Sequence, residues 1–123
     1  MISAEQLIEA HLKAISERDL PAYTATLHDD VVVVLPNGGR LEGRQAVEDF
    51  HRDWFADLDW TQDLTRVAYV ETDGTAVATY EADYRDVDGS GAPIHARNLL
   101  CMIFTRTAEG WLLLHDQNTR LAT

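Results

Sequence analysis

Apolar positions recur at helical spacing early in the chain and at strand spacing late. Ser3 followed by Gln6 has the form of a capping box, and Leu7, Ile8, Leu12 and Ile15 then repeat at steps of three and four, which predicts a first helix. Asp19 is a good N-cap for a second, short helix, with Pro21 tolerated in its first turn and Leu20, Tyr23 and Leu27 on one side, ending near "HDD". "VVVVLPNGGRLEG" reads as a β-branched strand, a turn at Asn37 and Gly38, and a short return strand. From Arg44, the residues Val47, Phe50, Trp54, Phe55 and Leu58 give a third helix with a broad aromatic face. Beyond Trp60 come four strand-like runs separated by "TDG", "DVDGSGAP" and "TAEG".

The expected order is therefore α-α-β-β-α-β-β-β-β, an α+β fold in which a curved antiparallel sheet wraps around a long third helix and leaves a cone-shaped cavity. No repeat or linker divides the chain, so residues 1–123 are read as a single domain. The formal net charge of −11 would repel a nucleic-acid backbone, an anionic membrane and a highly anionic substrate, although a local pocket can differ from the global charge. No apolar run approaches the roughly 18 residues that cross a bilayer. "MISAEQLIEAHLK" lacks the basic start and unbroken apolar run of a secretory leader, and Cys101 has no partner for an internal disulfide. A cytoplasmic location is the expectation.

The segments "ERDLPAYTATLHDDVVVVLPNG", "LEGRQAVEDFHRDWF" and "EGWLLLHDQNT" together resemble the nuclear transport factor 2-like superfamily. Within it the chain looks most similar to the SnoaL-like and ketosteroid-isomerase-like small proteins and to the association domain of calcium/calmodulin-dependent kinase II. The resemblance covers nearly the whole chain. It implies a cone-shaped α+β domain that forms a homodimer or higher homo-oligomer through its sheet. It leaves activity open, because such families include isomerases, dehydratases, cyclases, epoxide hydrolases and non-catalytic oligomerisation domains. Ketosteroid isomerase chemistry itself is not implied. The place of its general base, before a Pro at the end of the first strand, is taken by Leu35, that of its oxyanion-hole acid by Leu100, and that of its oxyanion-hole tyrosine by His11.

Strict alternation puts Trp111, Leu113, His115, Gln117 and Thr119 on one face of the last strand, and Leu112, Leu114, Asp116, Asn118 and Arg120 on the other. The first set is expected to line the pocket. His115 would be the acid/base, while Gln117, Thr119 and Asn98 would orient ligand oxygens. On the preceding strand Asn98, Leu100, Met102 and Phe104 share a face and supply a greasy floor. One strand earlier, Ala78, Tyr80, Ala82 and Tyr84 are expected to point inward, because burying Glu81, Asp83 and Arg85 would be costly; the rival phase would make Glu81 and Asp83 an internal acid/base pair. Phe50, Trp54, Tyr80, Tyr84 and Met102 are the expected walls. Tyr23 is a candidate phenol at the cavity edge, and His11 a core histidine whose alignment makes it a candidate ligand contact.

Several other motifs carry no site. "DVDGSG" matches the start of a calcium loop, but Arg97 stands where a bidentate Glu is required, so it reads as a polar hairpin turn. The five histidines lack metal-ligand spacing, "GGRLEG" is too short to cradle a nucleotide, and no serine elbow is present. No metal and no cofactor are expected. The expected function is a SnoaL-like pocket protein, an isomerase, cyclase or dehydratase working without cofactor on a small, largely apolar or amphipathic molecule. The alternative is a non-catalytic ligand-binding or homo-oligomerisation domain, for which the outward residues Leu99, Cys101, Ile103, Leu112 and Leu114 would matter most.

Overall fold

A computed structural model describes residues 1–122. Its elements follow the order α1 (Ala4–Ser16), α2 (Leu20–Thr24), β1 (Leu27–Val34), β2 (Arg40–Glu42), α3 (Arg44–Ala56), β3 (Thr61–Glu71), β4 (Thr75–Val87), β5 (Pro93–Thr107) and β6 (Gly110–Arg120). This is the α+β order read from the hydrophobic pattern. Local chemistry accounts for the boundaries. The Ser3 hydroxyl accepts from Gln6 N at 3.1 Å while the Gln6 side chain accepts from Ser3 N at 2.9 Å, which caps α1 reciprocally. Asp19 caps α2, and Gly38, with φ of 87°, sits in the β1–β2 turn where a side chain would be strained. In the "DVDGSG" turn the Asp88 carboxylate accepts from Ser90 N, Ser90 Oγ and Ala92 N, so its oxygens serve the hairpin.

The six strands form one sheet in the order β2-β1-β6-β5-β4-β3. It is mostly antiparallel, with one departure from the expected all-antiparallel sheet: β1 runs parallel to β6, its neighbour in space although the two are far apart in sequence. Strand β1 also starts earlier than the pattern suggested, at Leu27, with Asp29 and Asp30 exposed in an irregular stretch before Val32 pairs with His115. The helices cover one face of the sheet. Leu7, Ile8 and Ile15 of α1, Tyr23 of α2, and Val47 and Phe55 of α3 join Ala78, Tyr80, Leu100, Met102, Phe104 and Leu113 in one core. The Ala/Tyr face of β4 points inward. Glu81 and Asp83 lie on the opposite face, paired with Arg97 at 3.2 Å and His95 at 2.8 Å. No helix among the described residues is long and apolar enough to cross a membrane.

Strand β6 does not alternate strictly. Phe104 pairs with Leu113, but the next residue back on β5, Ile103, pairs with His115, which leaves Leu114 as an extra residue. Beyond this bulge the phase is inverted. Asp116, Asn118 and Arg120 stand opposite the inward-facing Met102, Leu100 and Asn98, whereas His115, Gln117 and Thr119 stand opposite the outward-facing Ile103, Cys101 and Leu99.

Candidate functional site

Between the helices and the carboxyl-terminal half of β6 lies an open cavity of about 270 Å³. Its apolar wall comprises Ile15, Val33, Leu35, Pro36, Phe50, Trp54, Ile94, Ala96 and Leu100; its polar groups come from His51, Gln62, Tyr84, Asn98, Asp116, Asn118 and Arg120. Phe50, Trp54, Tyr84, Asn98 and Leu100, all expected at the pocket from the sequence, line it. The other expected residues stand elsewhere. His115, Gln117 and Thr119 face the outer side of the sheet because of the bulge, with His115 Nε2 only 3.4 Å from Gln117 Oε1 on that side. Tyr80 and Met102 are packed into the core below the cavity rather than along its wall. His11 and Tyr23 are fully buried and do not reach the surface of the cavity, since α1 and α2 press both rings against the interior.

What sequence reading missed is the opposite triplet of β6, chiefly Asp116. This carboxyl is 7% exposed and projects among Val33, Leu100 and Met102. Burial pushes its pKa up to about 7 against a smaller opposing effect from Asn118, whose amide Nδ2 donates to Asp116 Oδ1 at 3.3 Å. The same amide donates to Val34 O at 3.1 Å, which fixes the Asn118 side chain. A carboxyl with this pKa exists as acid and as carboxylate in comparable amounts near neutrality, the condition for moving a proton in both directions.

Behind Asp116 lies a stack of rings. Tyr23 lies 4.2 Å from His51 and 5.0 Å from His11, centroid to centroid. The hydrogen bonds fix both imidazole tautomers. His51 Nδ1 lies 2.7 Å from the Val47 carbonyl, which can only accept, so Nδ1 carries the proton and Nε2 is left as an acceptor. The Thr26 hydroxyl donates its single proton to Tyr23 O at 2.6 Å, so it must accept from His11 Nδ1 at 2.7 Å. His11 Nε2 and the Tyr23 hydroxyl have no hydrogen-bond partner among the described residues. Burial lowers His11 to about 3, helped by the nearby His51, and lowers His51 to about 4 against the opposing Val47 bond. Both are neutral at pH 7. Burial first, and then the charge of Asp116, hold the Tyr23 phenol well above its ordinary value. Only His51 of this stack lines the cavity, offering a neutral acceptor in the same lining as the Asp116 carboxyl.

The aromatic wall is itself held in place. Trp54 stacks on Trp60 at 4.3 Å, the Trp60 indole donates to Trp54 O at 2.9 Å, and the Arg18 guanidinium covers the Trp60 ring at 4.0 Å. The Tyr84 hydroxyl donates to Asp86 at 3.0 Å and lies 3.4 Å from the Trp54 indole nitrogen.

The sequence profile of the SnoaL-like domain matches residues 4–118. The chain belongs to the SnoaL-like domain family. No curated protein matches it in sequence. Among solved structures, a candidate dehydratase of the NTF2-like family from Streptomyces avermitilis superposes with a TM-score of 0.82 at 20% identity, covering 97% of this chain and 94% of that one. A ketosteroid isomerase-like protein from Erwinia carotovora atroseptica SCRI1043 gives 0.78 at 18% identity, with 97% and 94% covered. The CaMKII hub of S. rosetta gives 0.74 at 22%, with 95% and 93% covered. These likenesses establish a shared NTF2-like fold and nothing of activity.

Within this SnoaL-like domain the cavity offers one titrating acid, one neutral imidazole and several amide donors in a mainly apolar surround. The lining contains no thiol and only one imidazole, so it does not provide a metal-ligand set. Asp57, Asp59 and Asp86 do bring three carboxylates within 4.8 Å of one another outside the lining. Two of them are half-buried and one is exposed, and the Arg18 side chain reaches the same corner through Asp57 O. They read as a solvated acidic corner.

Proposed function

We propose that this SnoaL-like protein catalyses cofactor-independent proton transfer, as in an isomerisation, cyclisation or dehydration, on a small, largely apolar molecule carrying a carbonyl or hydroxyl group. The observation that carries this reading is Asp116, a buried carboxyl with its pKa raised to about 7 at the wall of a mainly apolar cavity. Asp116 is the acid/base. As carboxylate it removes a proton from carbon next to a carbonyl, and as acid it returns that proton to a neighbouring carbon or to a leaving hydroxyl. His51 Nε2 can only accept at neutral pH, so it orients a ligand hydroxyl rather than supplying a proton. The amide of Gln62 is a lining donor available to a ligand oxygen on which negative charge develops. Trp54, Phe50 and Leu100 hold the ligand skeleton against water.

A ketone with exchangeable protons tests this without knowledge of the natural substrate. With 2-tetralone in deuterium oxide, proton NMR is expected to show protein-catalysed exchange at the carbon beside the carbonyl, and Asp116→Asn is expected to reduce its rate by about 10²–10⁴-fold. Equal rates in the two proteins would leave ligand binding without turnover.

The proposal includes a homodimer through the outer face of the sheet. There Leu99, Cys101, Ile103, Leu112 and Leu114 form a half-buried apolar row, which a second copy would cover.

A further inference from the structure

We infer that the ligand of this cavity is a small amphipathic monoanion whose single carboxylate is held at the mouth by Arg120, oriented by Asn98, while its apolar skeleton runs inward toward Asp116. The inference rests on the acid/base reading above for the inner end and adds the chemistry of the outer one.

Arg120 is the cation that lines the cavity, and it is exposed at the carboxyl-terminal end of β6. The chain has 21 acidic residues against 10 basic ones, and six other arginines, Arg40, Arg44, Arg52, Arg66, Arg85 and Arg97, each have a carboxylate within 4.0 Å. Arg120 has none among the described residues. Its only hydrogen bond there is from Nε to Asn98 Oδ1 at 3.2 Å. That bond uses Nε and the amide oxygen of Asn98, and leaves the terminal guanidinium nitrogens Nη1 and Nη2 without a protein partner among the described residues. The mouth therefore presents a pair of guanidinium N–H₂ groups. Both are donors, the arrangement that a carboxylate accepts in fork geometry.

One cation sets the ligand's charge at one. A polyanion would meet the repulsion of a chain whose formal net charge is −11, whereas a single carboxylate is matched by one guanidinium. The strand sets its length. Arg120 lies four residues beyond Asp116 on the same face of β6, about 13 Å at strand rise, and Leu100, opposite Asn118, gives the interval apolar surface. The cavity volume of about 270 Å³ is at the small end of ligand sites, which suits a compact monocarboxylate rather than a long lipid.

The test is calorimetric titration at pH 6 with two probes of the same shape, 2-naphthoate and 2-naphthamide. The wild-type protein is expected to bind the carboxylate about tenfold more tightly than the amide, and Arg120→Gln is expected to bring the two affinities together. Asp116→Asn is expected to keep the preference, so anion recognition and proton transfer fail separately. A wild-type protein that binds both probes equally, or a preference that survives Arg120→Gln, overturns the inference while the exchange experiment still judges the acid/base reading. Failure of both probes to bind overturns it as well.

Discussion

At the scale of single residues, the buried groups pull the pH dependence of stability in opposite directions. His11 and His51 are neutral when folded, at about 3 and about 4, but recover the ordinary 6.5 when unfolded. Between pH 4.5 and 6 the unfolded chain therefore binds two protons that the folded chain does not. Stability from the histidines is present above 6.5 and is lost as pH falls below it. Asp116 acts the other way. Its folded value of about 7 lies above the unfolded 3.8, so in the same window the folded chain holds one proton that the unfolded chain releases, and its penalty grows as pH rises from 3.8 to about 7. These three groups together give one proton of net uptake on unfolding, so stability is expected to rise by about 1.4 kcal/mol per pH unit across the window. Asp116→Asn removes the opposing proton, so urea denaturation should show a slope near 2.7 kcal/mol per unit and a gain of roughly 4 kcal/mol over wild type at pH 8. An unchanged slope would mean that Asp116 is not protonated in the folded protein at pH 6.

At the scale of elements, one inserted residue decides which chemistry enters the cavity. The helices, their caps, the β1–β2 turn and the inward phase of β4 were legible because apolar spacing and turn residues specify them locally. So were the walls Phe50 and Trp54, which follow from the α3 stripe. The phase of β6 was not legible. Its first five residues, Gly110 to Leu114, offer four consecutive apolar side chains that fit either face, so nothing in the run marks Leu114 as unpaired. The bulge is defined only by pairing with β5 and β1, elements distant in sequence, and assuming strict alternation turned every later side chain to the wrong face. His115 then drew the acid/base assignment that the proposed function gives to Asp116. Deletion of Leu114 should remove the unpaired residue while keeping Leu113 opposite Phe104 and His115 opposite Ile103, so that Asp116, Asn118 and Arg120 stay on the inner face. The deletion variant is therefore expected to fold and to keep 2-naphthoate binding, as is Leu114→Val. A folded deletion variant that has lost binding would show that the pairing across the bulge does not hold these side chains inward.

At the scale of the whole molecule, the two faces of the sheet divide the work. The inner face is covered by α1, α2 and α3 and carries the core and the cavity. The outer face has no covering element among the described residues, yet beyond the charged Glu81 and Arg97 it carries Val77, Leu99, Cys101, Ile103, Leu112 and Leu114, all half-buried. A chain of formal net charge −11 has charged side chains in excess to solubilise such a surface, and their scarcity in this row argues that water is not its final partner. Isologous pairing of two such rows would cover the apolar stripe with its own counterpart, provided the contact reaches the roughly 1,200 Å² of a stable interface. The inverted phase of β6 puts His115 and Gln117 on this face beside Ile103 and Cys101, away from the pocket and within the proposed interface. Light scattering on wild-type protein at micromolar concentration is expected to give twice the 13.8 kDa chain mass. Ile103→Glu, which would bury a charge at the centre of the row, should give the single-chain mass while leaving the cavity intact, because Ile103 points away from it. A wild-type mass of one chain would assign the row to some other covering, and a mass above two chains would overturn the dimer.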